Sequence, residues 1–172
     1  LSYIISKLQD KGVQKVQGTI SRSEKKELNV EHGEISLFRT TFSHSIDLQA
    51  IKNNKEGTIC INKIDKDSLD KTINSLLDIV NSSEADDAYD IAGLQDKETF
   101  SMGEENPSLD DMYDSVTSFN SYVKEKHPKV ILEQAVLEHT FSKTHVMNTN
   151  GVNFTINKGL YNFFPMFTAK DG

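Results

Sequence analysis

The chain has 172 residues, of which 19 are Lys or Arg and 26 are Asp or Glu, so its formal net charge is −7. This acidic balance argues against non-specific binding to nucleic acid, which depends on Lys and Arg displacing counterions from phosphates. The length predicts one domain, or one domain with a small lobe. The longest apolar runs are triplets and the N-terminal residues carry no signal-peptide pattern, so we expect no association with a membrane.

The single cysteine, Cys60, excludes an internal disulfide and a metal site built from several thiolates. One thiol also indicates a reducing compartment, and we expect Cys60 to be a small buried hydrophobic residue. The chain begins with Leu1 instead of Met and stops soon after an apolar stretch, so we expect a fragment of a longer protein.

The first part of the chain changes from helical to strand periodicity. Apolar residues at helical spacing predict a short amphipathic helix that ends near Gly12: Ile4, Ile5 and Leu8. From Val13 to Lys63 apolar and polar residues alternate, which predicts a meander of four or five antiparallel strands. The strand breaks are expected at three polar segments: His32-Gly33, Thr41–Ser45 and Asn53–Gly57.

A second helix is predicted after these strands. Asp67 is placed to cap it, with Asp70 three residues later in a capping-box arrangement. Its apolar residues form one stripe: Leu69, Ile73, Leu76, Leu77 and Val80. The helix is expected to end at 81–83.

An acidic stretch, Glu84–Asp114, holds eleven acidic residues and one lysine, Lys97. Charge runs of this kind are typical of solvated surface segments, and an acidic metal site is the lesser alternative. The sequence therefore predicts a long surface connection, about 84–106, between two halves of one domain.

A third helix is predicted from Asn106-Pro107, as cap and first helical residue, to His127-Pro128. Strand periodicity then returns in four segments, about 130–136, 141–147, 152–156 and 160–167. Because strands and helices are segregated along the chain, the predicted fold class is α+β, with mostly antiparallel sheets and three helices.

No local motif supplies a complete active site. The zinc motif HExxH, the Gly-x-Ser-x-Gly elbow and the glycine-rich phosphate loops are all missing. His139 and His145 form the closest histidine pair, but on one strand they would lie about 20 Å apart, so we expect ordinary surface histidines. His32, His44 and His127 are expected to be solvated. The sequence thus predicts no catalytic, cofactor-binding or metal-binding residue in this chain.

The order of segments resembles the N-terminal domain of the TldD/PmbA family, also called the modulators of DNA gyrase. The resemblance lies in the strands 27–35 and 46–51, the turn 54–58 with the helix after it, and the turn Asn148-Thr149-Asn150-Gly151. One departure is Gln49, which stands where many members have an arginine. The details favour the PmbA (TldE) branch.

The resemblance implies a non-catalytic N-terminal domain of a cytoplasmic zinc metallopeptidase system that acts on extended peptides, in peptide-antibiotic maturation or proteolysis. Any zinc would belong to the missing C-terminal domain or to a zinc-bearing TldD-like partner subunit. The domain would contribute dimer contacts, in a homodimer or with that partner, and guidance of the peptide substrate. A free sheet edge is compatible with this role, since it can take up an extended peptide as an added strand.

Two alternatives stay open. The chain could be a stand-alone α+β protein-binding module that recruits a basic partner through its acidic loop. It could also be an enzyme that uses His139 and His145.

Overall fold

A computed structural model describes residues 1–96 and 98–170; Lys97, inside the predicted acidic connection, lies outside the described residues, as do Asp171 and Gly172. The described residues form three α-helices and six β-strands. In chain order these are α1 Ser2–Asp10, β1 Lys15–Glu31, β2 Glu34–Lys52, β3 Lys55–Ile61, α2 Lys66–Ser82, β4 Thr99–Met102, α3 Leu109–Lys126, β5 Val130–Asn148 and β6 Asn153–Ala169. The strands make one sheet in the order β3-β2-β1-β5-β6-β4. The predicted α+β class with three helices is confirmed.

Most neighbouring strands run antiparallel. β2 and β3 are antiparallel: Ile46 lies opposite Ile61 and Lys52 lies opposite Lys55, so the residue numbers rise along β2 as those of their partners on β3 fall. The short strand β4 differs: the Thr155 amide donates to the Glu98 carbonyl and the Asn157 side chain donates to Ser101. Because the residue numbers rise together on both sides, β4 lies parallel to β6.

The predicted break at Thr41–Ser45 is wrong, because β2 continues without interruption through these residues. Between Arg39 and Ser45 the one apolar residue is Phe42, so the alternation of Ile35 and Leu37 is not continued there, and pairing with neighbouring strands extends the sheet. The predicted meander therefore has three strands. Likewise the four predicted strands after α3 merge into two long ones, β5 and β6.

The break at His32-Gly33 is confirmed as a two-residue hairpin turn. The break at Asn53–Gly57 is shorter than predicted, because the turn holds Asn53 and Asn54 and β3 begins at Lys55. His32 and Gly33 have φ of 50° and 88°, and Asn53 and Asn54 have φ of 53° and 59°. Positive φ at both central positions gives the turn whose twist matches that of paired strands. Gly and Asn adopt this region more readily than most residues, which explains why they occupy three of the four positions.

Both predicted helix caps lie a short distance from the real ones. Asp65, not Asp67, caps α2, since its carboxylate accepts a hydrogen bond of 2.8 Å from the Ser68 amide. Ser108, not Asn106, caps α3, with its hydroxyl 3.1 Å from the Asp111 amide. In each case the cap is the side chain whose oxygen reaches the amide three residues later.

The chain divides into two compact units. Unit 1 comprises 1–22, 43–101 and 143–157, and unit 2 comprises 23–42, 102–142 and the residues from 158 onward. In unit 1, α1 and α2 contribute to a core with β1 and β2: Ile4, Leu8, Val16, Leu48, Ala50, Ile73, Leu76 and Val80. In unit 2, α3 contributes to a core with β1 and β5: Leu28, Val30, Met112, Val116, Val123, Ala135 and Leu137.

Within the described ranges, no helix has both the length and the apolar character that a bilayer crossing requires.

Candidate functional site

The five histidines lie in different environments. His139 is 1% exposed, so its prediction as a surface residue is wrong. Its Nε2 lies 3.0 Å from the Glu104 carbonyl oxygen and its ring centroid 4.6 Å from that of Tyr161. His145 is half-buried, with Nδ1 at 3.1 Å from the Thr155 hydroxyl. The remaining three histidines are exposed as predicted: His32, His44 and His127.

The two histidines of β5 therefore have separate partners. In residues 1–96 and 98–170 no three His, Cys, Asp or Glu side chains converge as a metal site would require. The Tyr161 hydroxyl donates to Glu104 Oε2 at 2.9 Å, and burial together with this carboxylate raises the pKa of Tyr161 to about 12. Tyr161 thus stays protonated at neutral pH as part of the packing around His139.

A polar groove crosses one face of the sheet in unit 1. Its volume is about 360 Å³ and its lining is Gln17, Thr19, Asp47, Leu48, Gln49, Thr58, Ile59 and Cys60. Cys60 is exposed here, so its prediction as a buried residue is wrong. A hydrogen bond to Asp47, with a smaller contribution from burial, raises the pKa of the Cys60 thiol and keeps it protonated.

The acidic stretch was predicted as a solvated loop, but its first part is bound to unit 1. The Asp86 amide donates to the Asn54 carbonyl at 2.7 Å, and the Ala92 amide donates to Gln17 Oε1 at 3.3 Å. Ile91 is 7% exposed. The backbone around 86–92 is therefore held against the sheet, although most of its carboxylates face solvent.

The departure at Gln49 lies within this groove. The Gln49 side-chain amide donates to Glu56 Oε1 at 2.5 Å and to the Asp90 carbonyl at 3.3 Å. Gln49 therefore connects β2 to β3 and to the acidic stretch.

Asn148 fixes the turn predicted at Asn148–Gly151. Its Oδ1 accepts hydrogen bonds from the amides of Asn150 at 2.9 Å and Val152 at 3.0 Å, while its Nδ2 donates to the Ala92 carbonyl at 2.8 Å. Gly151 has φ of 96°, a conformation that favours glycine. The turn thereby also holds the acidic stretch in place.

Unit 2 exposes large apolar side chains on two strands, which we call the apolar strand surface. They are Ile35, Leu37, Phe38 and Phe42 of β2 and Leu160, Tyr161, Phe163, Phe164, Met166 and Phe167 of β6. β4 has four residues and β6 has seventeen, so β4 can pair with only a short part of this edge. Pro165 lies in β6, and proline within a strand is typical of a sheet edge.

A charged network lies beside these apolar residues. Glu27, whose side chain is 5% exposed, lies 2.9 Å from Arg39 and 3.1 Å from Lys25, which also lies 2.7 Å from Glu138. Burial alone would raise the pKa of Glu27, but the hydrogen bonds from Arg39 and Lys25 outweigh it and the net pKa is lowered. Glu27 is therefore ionised and paired at neutral pH.

Comparison with known proteins finds one matching family model and several solved structures of similar fold. Residues 20–80 match the family described as PmbA/TldA metallopeptidase domain 1. The fold is similar to that of TldE from Thermococcus kodakarensis, with a TM-score of 0.77 at 15% identity, covering 99% of this chain and 39% of that one. It is also similar to a "putative modulator of a DNA gyrase" from Thermotoga maritima, with a TM-score of 0.75 at 17% identity and coverage of 99% and 39%.

A third similar structure is a "putative modulator of DNA gyrase" from Bacteroides thetaiotaomicron. It has a TM-score of 0.81 at 13% identity, covering 99% of this chain and 41% of that one. The chain thus spans about two fifths of the length of the solved relatives that it matches. No curated protein matches it. The match over 20–80 and the shared fold confirm the resemblance seen in the sequence: residues 20–80 are similar to the first domain of the PmbA/TldA family, and the chain has the fold of these solved relatives.

Proposed function

We propose that this chain is the non-catalytic N-terminal domain of a TldD/PmbA-type metallopeptidase, and that it contributes dimer contacts and guidance of extended peptides in the cytoplasm. The match to the first domain of that family supports this role. The observation that carries it is the β6 part of the apolar strand surface. Leu160, Phe164 and Met166 are exposed on one face of this strand, and clustered exposed apolar residues mark surfaces that bind other chains.

The described residues do not fit a zinc site. The two histidines of β5 are each engaged by other groups, the Glu104 carbonyl and the Thr155 hydroxyl, and no third ligand converges on either within the described ranges. We therefore assign no chemical step to this chain, and propose that zinc chemistry belongs to another domain or to a TldD-like subunit. We also propose that this chain belongs to the PmbA (TldE) branch of the family.

The dimer contact is tested by replacing exposed apolar residues of β6. Phe164→Asp and Met166→Asp, at positions 56% and 57% exposed, should shift the chain from dimer to monomer in light scattering coupled to size exclusion. Leu94→Asp is the matched control, since Leu94 is 77% exposed but lies in unit 1. A wild-type chain that is monomeric at high concentration, alone and with a TldD-like subunit, would contradict the dimer contact.

Peptide guidance is tested separately by fluorescence anisotropy with a labelled extended peptide. If the peptide is added as a strand at the β6 edge, methylation of alternate backbone nitrogens should abolish binding, because those nitrogens could no longer donate to the strand. Methylation of the intervening nitrogens is the control and should have little effect. Equal binding of both methylated peptides would argue against strand addition.

The second candidate, a stand-alone module that recruits a basic partner, is favoured by one observation. The backbone of 86–92 is held by hydrogen bonds, so its exposed carboxylates are presented at fixed positions. Asn replacements at Asp86 and Asp87 should then weaken capture of a lysine-rich peptide, while replacements at Asp110 and Asp114 should not. If both pairs behave alike, capture reflects net charge only.

A further inference from the structure

A cleft lined by lysines lies between α1 and α2 in unit 1, away from the polar groove. Its volume is about 470 Å³, within the range of small-molecule sites. The lining residues are Tyr3, Lys7, Lys11, Lys66, Asp70, Ile73 and Asn74. Three cations and one carboxylate therefore surround one concavity in a chain whose net charge is −7.

Within residues 1–96 and 98–170, these three ammonium groups have no carboxylate as an ion-pair partner. Lys7 and Lys11 are four residues apart, so they lie on one side of α1 and its end, and Lys66 is the first residue of α2. Among the described residues, none of the three has a carboxylate within 4.0 Å, whereas Lys15 and Lys25 have carboxylates at 2.8 Å and 2.7 Å. Uncompensated like charges in one cleft repel each other, and a bound anion would remove that repulsion.

The one carboxylate of the cleft is already engaged. The Tyr3 hydroxyl donates a hydrogen bond of 2.6 Å to Asp70 Oδ1 and connects α1 to α2. This hydrogen bond raises the pKa of Tyr3. Asp70 is thus held by Tyr3 and makes no ion pair with the lysines, and the cleft keeps a net positive charge.

We propose that this cleft binds a small phosphate-bearing anion, a diphosphate group either free or as an ester. Lysine ammonium groups act as point charges toward phosphate oxygens, and three lysines that line one cleft suit a ligand with several charged oxygens. The exposed Asn74 also lines the cleft and offers a polar contact to an organic group attached to the phosphate. This proposal does not depend on the function proposed above, which rests on unit 2.

The test is isothermal titration of the chain with inorganic pyrophosphate at low salt, with nuclear magnetic resonance to locate the site. Saturable binding should shift the Tyr3 and Asn74 resonances and weaken as salt rises. Lys7→Gln, Lys11→Gln and Lys66→Gln should each raise the dissociation constant by up to about five-fold, the range for one exposed ion pair. A nucleoside diphosphate in a parallel titration distinguishes the sources: tighter binding indicates an ester, and equal binding indicates the free anion.

Two further variants test whether the charge of the cleft itself determines the affinity. Asp70→Asn removes the negative charge but keeps an acceptor for Tyr3, so pyrophosphate should bind more tightly. Lys71→Gln removes an exposed lysine of α2 outside the lining and should leave the affinity unchanged. Absence of saturable binding, or an equal loss in Lys71→Gln and Lys7→Gln, would overturn the proposal.

Discussion

The Asn148 side-chain amide donates a hydrogen bond of 2.8 Å to the Ala92 carbonyl, so residues far apart in the chain fix the turn after β5 and the acidic stretch together. Asn148 is 7% exposed. Its other amide hydrogen reaches Gln17 Oε1 at 3.2 Å. All the hydrogen-bonding positions of this side chain are therefore in use within unit 1.

Replacement of Asn148 by Ala should lower the free energy of unfolding by about 2–3 kcal/mol, because buried amides and carbonyls would lose their partners. Urea unfolding measures this loss. Asn150→Ala is the matched control: Asn150 is exposed and its side chain makes one hydrogen bond, of 3.0 Å, to the same Ala92 carbonyl. Asn150→Ala should lower the free energy of unfolding by less than about 1 kcal/mol. Equal decreases in the two variants would contradict the role given to Asn148.

Gly159 allows β6 to approach the backbone after β4. A Cβ atom at Gly159 would overlap the backbone of Glu104, whereas a Cβ at Gly93 would meet nothing within 4 Å. Gly159→Ala should therefore destabilise the chain by about 1–3 kcal/mol, as other overpacked sites do. Gly93→Ala, with the same chemical change, should be neutral or slightly stabilising in the same thermal unfolding experiment. A neutral Gly159→Ala would show that the two segments can separate at no cost.

The Glu27 ion pairs make stability depend on acid. Because the pKa of folded Glu27 is lowered from its ordinary value of 4.5, its ionised form stabilises the fold above that pH, and this contribution is lost as the pH falls below it. Glu27→Gln should cost about 2 kcal/mol at neutral pH. The difference from wild type should shrink with acidification below 4.5, as followed by urea unfolding at each pH.

Glu24→Gln provides the comparison for Glu27. Glu24 lies on the same strand and pairs with Lys26 at 3.2 Å, but its side chain is 38% exposed. Exposed pairs contribute little, so this variant should follow the wild type at every pH. A constant difference between Glu27→Gln and wild type across the acid range would rule out the ion pairs as its origin.

Asp47 should control the reactivity of the Cys60 thiol. Its hydrogen bond raises the pKa of Cys60, so Asp47→Asn should lower that pKa and increase the thiolate fraction. Labelling by a disulfide reagent at about pH 8 should then be several-fold faster than in the wild type. Ser45→Ala, which removes a hydroxyl 3.3 Å from the Asp47 carboxylate but keeps its charge, should label at nearly the wild-type rate.

Apolar periodicity identified the elements that contribute to a core. The stripe of α2 was predicted correctly because Ile73, Leu76 and Val80 are buried at helical spacing. β2 was divided wrongly because residues 34–44 contribute to no core and the alternation of Ile35 and Leu37 is not continued between Arg39 and Ser45. The alternation of Ile59 and Ile61 itself places Cys60 on the opposite face, so its exposure could have been predicted from the same pattern.

Charge patterns were a poorer guide to the candidate sites. The acidic stretch was predicted as solvated, although Ile91 is buried and the surrounding backbone is hydrogen-bonded to distant residues. The cleft with Lys7, Lys11 and Lys66 was not predicted either, because its lysines come from two helices. Contacts between elements that are remote in sequence leave no local pattern.

Pro165 has a consequence for colloidal behaviour. A strand edge carrying Phe163, Phe164, Met166 and Phe167 could template the stacking of many copies into fibrils. Proline has no backbone amide hydrogen to donate to a neighbouring copy, so Pro165 interrupts such stacking in the middle of the apolar stretch 163–167. Pro165→Val should leave the native fold intact yet shorten the lag before thioflavin-positive aggregates form on prolonged incubation.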